Sequence, residues 1–509
     1  VVLSNEPEQG CWASNCILRT EWPRRLAKTF GTVAQMNAAW KTKYAAFADV
    51  PAPKDFTRPT ATPETLAFVR FSRSRFADFH RRMARVVREL APELPLHVKV
   101  MGFAEFENSA TYHSVDIEDF SRMSDYNGND AYDLPATPGD GLWAHAWWEA
   151  AAVYDWQRSC KDVPVFNSEN HLVSDFCGQP VSGRHFYTAL WQNALHGQAA
   201  TTLWLWERTS SPKHFALGSV LERPDCLNAW AHGALDLSRL ADELAPIRNQ
   251  DPTLLLHFSL SSQILSGRRG EAFLATYRAA SFLGQPLGVV TERMLSDYGR
   301  TGVLTRPLVA ARAVLLPDSA AIPSDVRKGL DRLSRRGVEV VECAGSDRAQ
   351  FRQLSAASSG WGLPAFPRVH AADSGQGVFG VESRGARVGD AAFVSFVNHT
   401  QKPLRIRLEA PGADLITGEA VPASFELPPL APMFVRLEAS CPAVTNARAQ
   451  VRVGGRPGLL MEAVVRERLT SKAARTTIYD EAERAFETHW DDSRDENGRV
   501  RNGWQNEYW

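Results

Sequence analysis

Two glutamates that each follow a short apolar run are the residues best suited to chemistry. Glu6 comes after VVLSN at 1–5, and Glu169 comes after VPVFNS at 163–168. Buried parallel strands are continuous Val/Leu-rich runs, and in barrels their carboxyl ends carry the active site. Glycosidic-bond hydrolysis needs two carboxyl groups across the bond, roughly 5–5.5 Å apart in retaining enzymes. The pair therefore predicts a site that acts on a sugar, whereas a lone Asn-Glu is more typical of a surface loop.

Polar and aromatic residues beside these glutamates are candidate sugar contacts. Asn5 is expected to hold the sugar hydroxyl next to the anomeric carbon, a contact that strengthens in the transition state. Trp204 and Trp206 alternate along one predicted strand and share a face, so one of them is expected to floor the sugar pocket. Glu207 points to the other face and is a secondary candidate, and His171 flanks Glu169.

The stretch SDYNGND at 124–130 ends a further predicted strand and is rich in hydrogen-bonding groups. Tyr126 and Asn129 are therefore candidate sugar contacts. The Asn127-Gly128 dipeptide is equally typical of a simple turn.

Composition excludes several classes of protein. The 509 residues carry 57 basic and 58 acidic side chains, which gives no reason to expect nucleic acid or an anionic membrane as a partner. The seven cysteines are scattered without a Cys-x-x-Cys pair, so we predict neither a metal site nor a disulfide framework. No cofactor is expected, and no apolar run approaches the length of a membrane span.

Strand and helix patterns alternate over residues 1–248, which predicts an α/β fold with a parallel sheet. Five strands are recognisable, whereas a (β/α)8 TIM barrel has eight. We interpret residues 1–248 as strands 4–8 of an incomplete barrel whose open edge lies at Val1–Ser4. A sheet that never closes is the alternative. Because the chain opens with Val directly into a strand, we expect its natural start upstream, and the compartment stays open.

Three further segments follow. Residues 249–360 predict a small doubly wound α/β domain of flavodoxin or amidotransferase type, without a Gly-rich phosphate loop. In residues 361–440 apolar and polar residues alternate along short segments, which predicts a small antiparallel β domain. Residues 441–509 predict a short strand, a helix over 463–486 and an abruptly ending extension.

Several motifs resemble a known family. LSNEP at 3–7, FNSENH at 166–171 and LWLWER at 203–208 resemble the fourth, seventh and eighth barrel strands of the large clan of retaining glycosidases. VLLPDSAAIP at 314–323 and PPLAPMFVRLEA at 428–439 extend the similarity to the β-galactosidases of glycoside hydrolase family 42.

The resemblance implies that Glu6 is the acid/base and Glu169 the nucleophile, and that the α/β domain builds a homotrimer. The NSENH context of Glu169 departs from typical members, which leaves the exact sugar open. We expect a retaining exo-β-glycosidase that acts on terminal β-galactosides. The alternatives are the same mechanism on another β-glycoside, or a catalytically silent carbohydrate-binding or assembly protein.

Overall fold

The structure is a computed structural model. It describes residues 1–7, 16–52, 61–106, 114–136, 139, 141–173, 181–204, 206, 220, 223–266, 270–373, 375–438, 452–453 and 456–457.

Five parallel strands form the sheet of the first part of the chain. They are β1 (Val2–Asn5), β2 (His97–Met101), β3 (Asn127–Asp130), β4 (Val165–His171) and β5 (Gln198–Trp204). Their order in space follows their order in the chain, and every neighbouring pair is parallel. Such a sheet needs a crossover after each strand. Among the described residues β1 pairs with β2 alone, which agrees with the edge expected at Val1–Ser4.

Helices follow each strand of this sheet, and among them α3 and α4 pack on one of its faces. They are α1 (Cys16–Phe30), α2 (Val33–Trp40), α3 (Pro63–Leu90), α4 (Ile117–Met123), α5 (Trp148–Cys160), α6 (Gly183–Leu195), α7 (Pro224–Arg239) and α8 (Ala241–Arg248). α3 begins where the Thr62 hydroxyl accepts the Thr65 N–H and Pro63 fills the first turn.

The alternation of β2 decides which side chains reach the opposite face. Val98 and Val100 are buried in an apolar cluster with Phe76 and Phe120 of the helices. Successive side chains of a strand point to opposite faces. Lys99 therefore projects from the face that the helices leave uncovered.

A second parallel sheet follows, in the order β7-β6-β8-β9. Its strands are β6 (Leu254–Phe258), β7 (Leu287–Thr291), β8 (Ala313–Leu316) and β9 (Glu339–Glu342), and its helices are α9 (Leu260–Ser266), α10 (Glu271–Ser281), α11 (Glu292–Thr301), α12 (Arg306–Val309), α13 (Ser324–Ser334) and α14 (Asp347–Ala357). The reversal of strand order at β6 is the doubly wound arrangement.

The third part is antiparallel. Its strands are β10 (His370–Ala371), β11 (Val381–Val388), β12 (Ala391–Asn398), β13 (Leu404–Arg407), β14 (Gly412–Asp414), β15 (Ala420–Val421), β16 (Ser424–Leu427) and β17 (Met433–Leu437). They form a five-stranded sheet, β11-β12-β17-β14-β15, and a three-stranded sheet, β10-β13-β16, which enclose an apolar cluster. A further short pair joins β18 (Arg452–Val453) and β19 (Arg456–Pro457).

A buried network of charged side chains joins the three parts. Arg384 of β11 donates to Asp155 of α5 at 3.2 Å and to Glu382 at 3.0 Å. His196 lies between the same two carboxylates, at 2.9 Å and 3.0 Å, and the Tyr277 hydroxyl of α10 donates to Asp155. Removing one partner of such a network leaves a buried charge uncompensated, so the network fixes how the three parts dock.

α5 begins at Trp148, after a segment that forms isolated bridges, Pro135 with His145 and Trp143 with Thr400. α7 and α8 meet at Leu240. The helix expected over 463–486 lies outside the described residues. Within the part of the chain that the structure describes, no helix is long and apolar enough to cross a membrane.

A substitution at Gly128 of β3 tests how tightly the sheet is packed beside the glutamates. A Cβ at this position lies 1.8 Å from Nδ1 of the fully buried His97 and 2.8 Å from the Val98 carbonyl oxygen. We predict that Gly128→Ala lowers the free energy of unfolding by about 1–3 kcal/mol, because neither neighbour has room to move. Gly360→Ala is the control, since no atom lies within 4 Å of the Cβ that this substitution adds. Equal urea midpoints for the two variants would contradict this packing.

Candidate active site

The ammonium of Lys99 lies between the two predicted glutamates. Its Nζ is 2.9 Å from Glu6 Oε1 and also binds Glu169 Oε2. Because both oxygens contact one nitrogen atom at hydrogen-bond length, they lie no more than about 6 Å apart. The structure therefore brings together two carboxylates that are separated by 163 positions in the chain.

Glu6 is held by an unusual backbone conformation at the end of β1. Its φ is 45°, in the left-handed region, which costs a residue with a side chain on the order of 1 kcal/mol. The Glu6 N–H donates to the Lys99 carbonyl oxygen at 3.0 Å, and the Asn5 amide donates to Glu6 Oε1 at 3.4 Å. The bond to the Lys99 carbonyl, in the middle of β2, holds the turn that aims the Glu6 carboxylate at the Lys99 ammonium.

Glu169 lies near the end of β4, where the register against β5 shifts between Asn167 and Asn170. Its N–H donates to Asn167 Oδ1 at 3.2 Å. The ring of His171 lies beside it, with Nε2 at 3.4 Å from Glu169 Oε1 and 3.4 Å from Asp130 Oδ1. Asp130, the last residue of β3, is almost fully buried, and its Oδ2 is 3.9 Å from Lys99 Nζ.

The pKa values of Glu169, Lys99 and Asp130 depend on burial and on how far neighbouring charges compensate it. Burial alone raises the pKa of Glu169, but hydrogen bonds from His171 and Lys99 outweigh it and hold the pKa below its ordinary value. Burial alone lowers the pKa of Lys99, and its carboxylate partners, Glu169 foremost, raise it above its ordinary value. Burial raises the pKa of Asp130 to about 8. At neutral pH Glu169 is therefore ionised and Lys99 is charged, whereas burial favours the protonated form of Asp130.

The predicted sugar contacts have different outcomes. Asn5 and His171 lie beside the glutamates, and the ring centroid of Trp204 is 5.9 Å from that of His171. Trp206 lies beyond the end of β5 and is 53% exposed. Glu207 lies outside the described residues.

The structure does not bring Tyr126 and Asn129 to the glutamates. Tyr126 precedes β3, at the end of the strand away from Asp130, and its ring packs on His97 and Phe166. Asn129 is fully buried and donates to Gln157 of α5, on the helix side of the sheet. The pleat and direction of β3 thus turn both side chains away from the two glutamates, and both pack within the fold.

Sequence reasoning missed Lys99 and Asp130. The available signal was a lysine in the otherwise apolar strand LHVKVM, since a buried strand tolerates an ammonium only with partners. Asp130 was visible only as the last polar residue of SDYNGND. Neither signal tells which strands are neighbours.

Two groups of side chains are of the types that bind metal ions: Asp130 with Glu169 and His171, and Asp133 with His145 and His185. In the first group the Lys99 ammonium already lies against the carboxylates. In the second, His145 is bonded at both nitrogens, to Asp133 at 2.7 Å and to His399 at 2.8 Å. We therefore describe both groups as hydrogen-bonded networks.

A cavity of about 460 Å³ lies away from the glutamates, between α3 and the second sheet. Arginines and carboxylates that line it are paired with one another, Arg70 with Glu292 and Arg293 with Asp119, both at 2.6 Å. Because these charges are already compensated, we place the chemistry at Lys99 and its carboxylates.

Comparison with known proteins agrees with this fold. Residues 1–236 match the model of glycoside hydrolase family 42, described as β-galactosidase. The β-galactosidase Pbg of Clostridium perfringens is 22% identical over 236 residues, which are 43% of this chain and 32% of that protein. The chain therefore spans about a third of the length of this curated relative.

Solved structures share the fold over more of the chain. An exo-carrageenase of family 42 from Bacteroides ovatus superposes with a TM-score of 0.67 at 20% identity, over 85% of this chain and 66% of that one. A β-galactosidase from Bacillus circulans sp. alkalophilus gives 0.61 at 13% identity, over 86% and 78%. At such identities the likeness concerns the fold, a TIM-barrel-like α/β part followed by an antiparallel β part. The sequence match to the model of glycoside hydrolase family 42 covers residues 1–236, slightly under half of the chain.

The proton on Asp130 predicts a pH dependence of stability. With a folded pKa of about 8 and an ordinary unfolded pKa near 4, the folded state binds more protons between these values, so stability falls as pH rises. We predict that Asp130→Asn removes this pH dependence. The free energy of unfolding of the variant minus that of wild type therefore rises from pH 4 to pH 8 and is constant above pH 8. Urea unfolding across this range measures it, with the exposed Asp390→Asn as the control. Parallel curves for wild type and Asp130→Asn would exclude a buried proton.

Proposed function

We propose that this protein is a retaining exo-β-glycosidase that hydrolyses terminal β-galactosides by double displacement. The observation that carries the proposal is the single ammonium that contacts both Glu6 and Glu169. It keeps the two carboxyl groups within the short separation of retaining enzymes, whereas inverting enzymes need roughly 6.5–9.5 Å to admit a water molecule. The match of residues 1–236 to the model of family 42 supports the same assignment.

Each glutamate has one role in this mechanism. Glu169, half-buried and ionised, attacks the anomeric carbon while Glu6 donates its proton to the leaving oxygen, so that the glycosidic bond breaks as the glycosyl-enzyme bond forms. Glu6 then takes a proton from water, whose oxygen displaces Glu169. Asn5, His171 and Trp204 are proposed as sugar contacts, since they surround the carboxylates.

The architecture is proposed to follow the family. We assign β1–β5 to strands 4–8 of a (β/α)8 barrel, with divisions near residues 248, 360 and 440. Doubly wound domains bury strands on both faces and leave helices outside, which leaves helical surfaces for a homotrimer contact. The five-stranded parallel sheet supports the first assignment.

The second candidate is the same mechanism on a different β-glycoside. The unusual NSENH sequence around Glu169 favours it, and the Bacteroides ovatus relative is described as an exo-carrageenase. The residues that contact the distal parts of the sugar decide between these substrates, and the chemistry of the two glutamates is common to both.

A panel of nitrophenyl β-glycosides tests the proposal. We predict that the β-galactoside is cleaved fastest and that Glu169→Gln lowers kcat on it by at least about 10³-fold. On the phenyl β-galactoside, whose poorer leaving group needs a proton, Glu6→Gln lowers kcat by at least about 10³-fold. Glu339→Gln, an exposed change on β9, is the control and keeps wild-type rates.

Azide separates the two roles. It restores turnover of Glu169→Ala with an α-glycosyl azide product and of Glu6→Ala with a β-glycosyl azide product, since it replaces the nucleophile in one case and the activated water in the other. Equal rates for wild type and Glu169→Gln would remove Glu169 from the mechanism. Wild type inactive on every glycoside would indicate a silent carbohydrate-binding protein.

A further inference from the structure

Three buried side chains connect the antiparallel part to the segment that follows β3. His399 comes directly after β12, and its Nδ1 lies 2.8 Å from Nε2 of His145. Nδ1 of His145 lies 2.7 Å from Oδ1 of Asp133. All three side chains are fully buried, so the protein itself has to satisfy their polar atoms. We call His399, His145 and Asp133 the imidazole–carboxylate chain.

The antiparallel part holds the far end of this chain firmly. The ring of His399 stacks on that of Trp147, with centroids 4.2 Å apart and planes at 20°. The carbonyl oxygen of His399 accepts the N–H of Ala144 at 2.8 Å, and its own N–H donates to Gly380 at 2.9 Å. His399 is thus fixed at both its backbone and its ring.

The near end of the chain lies against His171. Tyr132 and His171 form an isolated parallel bridge, and the Asp133 N–H donates to the His171 carbonyl oxygen at 3.1 Å. The Tyr132 ring lies over the His171 ring, with centroids 4.1 Å apart. Nε2 of His171 is 3.4 Å from Glu169 Oε1. The segment that Asp133 anchors therefore contacts both the backbone and the ring of the histidine beside Glu169.

We propose that His399 is a positioning residue of the active site, an inference that rests on the proposed glycosidase function. Through the imidazole–carboxylate chain, the antiparallel part holds His171 in place beside Glu169. Reacting groups have to be placed accurately, since a displacement of about 1 Å can cost about 10²-fold in rate. The antiparallel part thus contributes to turnover as well as to stability.

Two substitutions of His399 separate its hydrogen bond from its packing. His399→Phe keeps a ring against Trp147 and removes both nitrogens. His399→Asn loses the ring and places an amide near the position of Nδ1. We predict that kcat on a nitrophenyl β-galactoside falls about 10-fold or more in His399→Phe and less than about 3-fold in His399→Asn. A role in packing alone predicts the reverse order.

Ser395 of β12 provides a matched control. It is fully buried, and its Oγ accepts the indole N–H of Trp191 in α6 at 2.9 Å. Ser395→Ala therefore removes another buried bond between the same two parts and leaves the imidazole–carboxylate chain intact. We predict that it changes kcat by less than about 2-fold, even where it lowers the free energy of unfolding.

A double-mutant cycle with His171 tests whether His399 acts through it. In a His171→Ala background the residue that the chain positions is gone, so adding His399→Phe leaves kcat unchanged. A merely structural role of His399 lowers kcat by the same factor in both backgrounds. Asp133→Asn breaks the middle of the chain and enters the same cycle if His399→Phe does not fold.

NMR of protein with ring-labelled histidine gives a readout that does not depend on activity. The ring signal of His171 is the one that His171→Ala removes. We predict that it moves in His399→Phe and keeps its wild-type position in Ser395→Ala, because the nearby Tyr132 ring shifts with the chain.

Each outcome decides one of the two claims. An unmoved His171 signal in His399→Phe, or the same loss of kcat in both backgrounds of the cycle, would overturn the positioning role and leave the glycosidase intact. Wild type that cleaves no glycoside, with a His171 signal that still moves in His399→Phe, would overturn the proposed function and leave His399 as the residue that places His171.

Discussion

The site depends on one buried ammonium among three carboxylates. Lys99 is 3% exposed, and a charge so far from water is tolerated only when its partners compensate it. Glu6, Glu169 and Asp130 come from three other strands, so the compensation exists only when β1 to β4 are in register. Folding of the sheet and assembly of the site are therefore one event, and the strained Glu6 backbone persists because its N–H is bonded to the Lys99 carbonyl.

The rest of the chain holds that sheet in place. The helices bury Val98 and Val100 on one face, which leaves Lys99 on the other. The network of Arg384, Asp155 and His196 connects the helical side of the sheet to the antiparallel part. α5 carries Asp155 of this network, and its Gln157 also accepts a hydrogen bond from Asn129 of β3, one residue from Asp130.

The sequence alone predicts the alternation of strands and helices, the doubly wound and antiparallel parts, and the proximity of Glu6 and Glu169. Each of these rests on a local pattern or on the position of a residue at a strand end. Lys99 and Asp130 could not be assigned in this way, because their role depends on which strands are neighbours. Tyr126 and Asn129 lie away from the glutamates because Tyr126 packs on His97 and Asn129 bonds to α5, which the sequence does not reveal.

The most direct test of the account is to trap the covalent intermediate. The protein is incubated with a 2-deoxy-2-fluoro-β-galactosyl fluoride. The fluorine at carbon 2 slows both formation and hydrolysis of the glycosyl-enzyme, whereas the fluoride leaving group keeps formation faster than hydrolysis. The glycosyl-enzyme therefore accumulates. Digestion and mass spectrometry then locate the sugar. The account predicts one fluorosugar per chain, attached to Glu169. A fluorosugar on Glu6, or on any other residue, would contradict it.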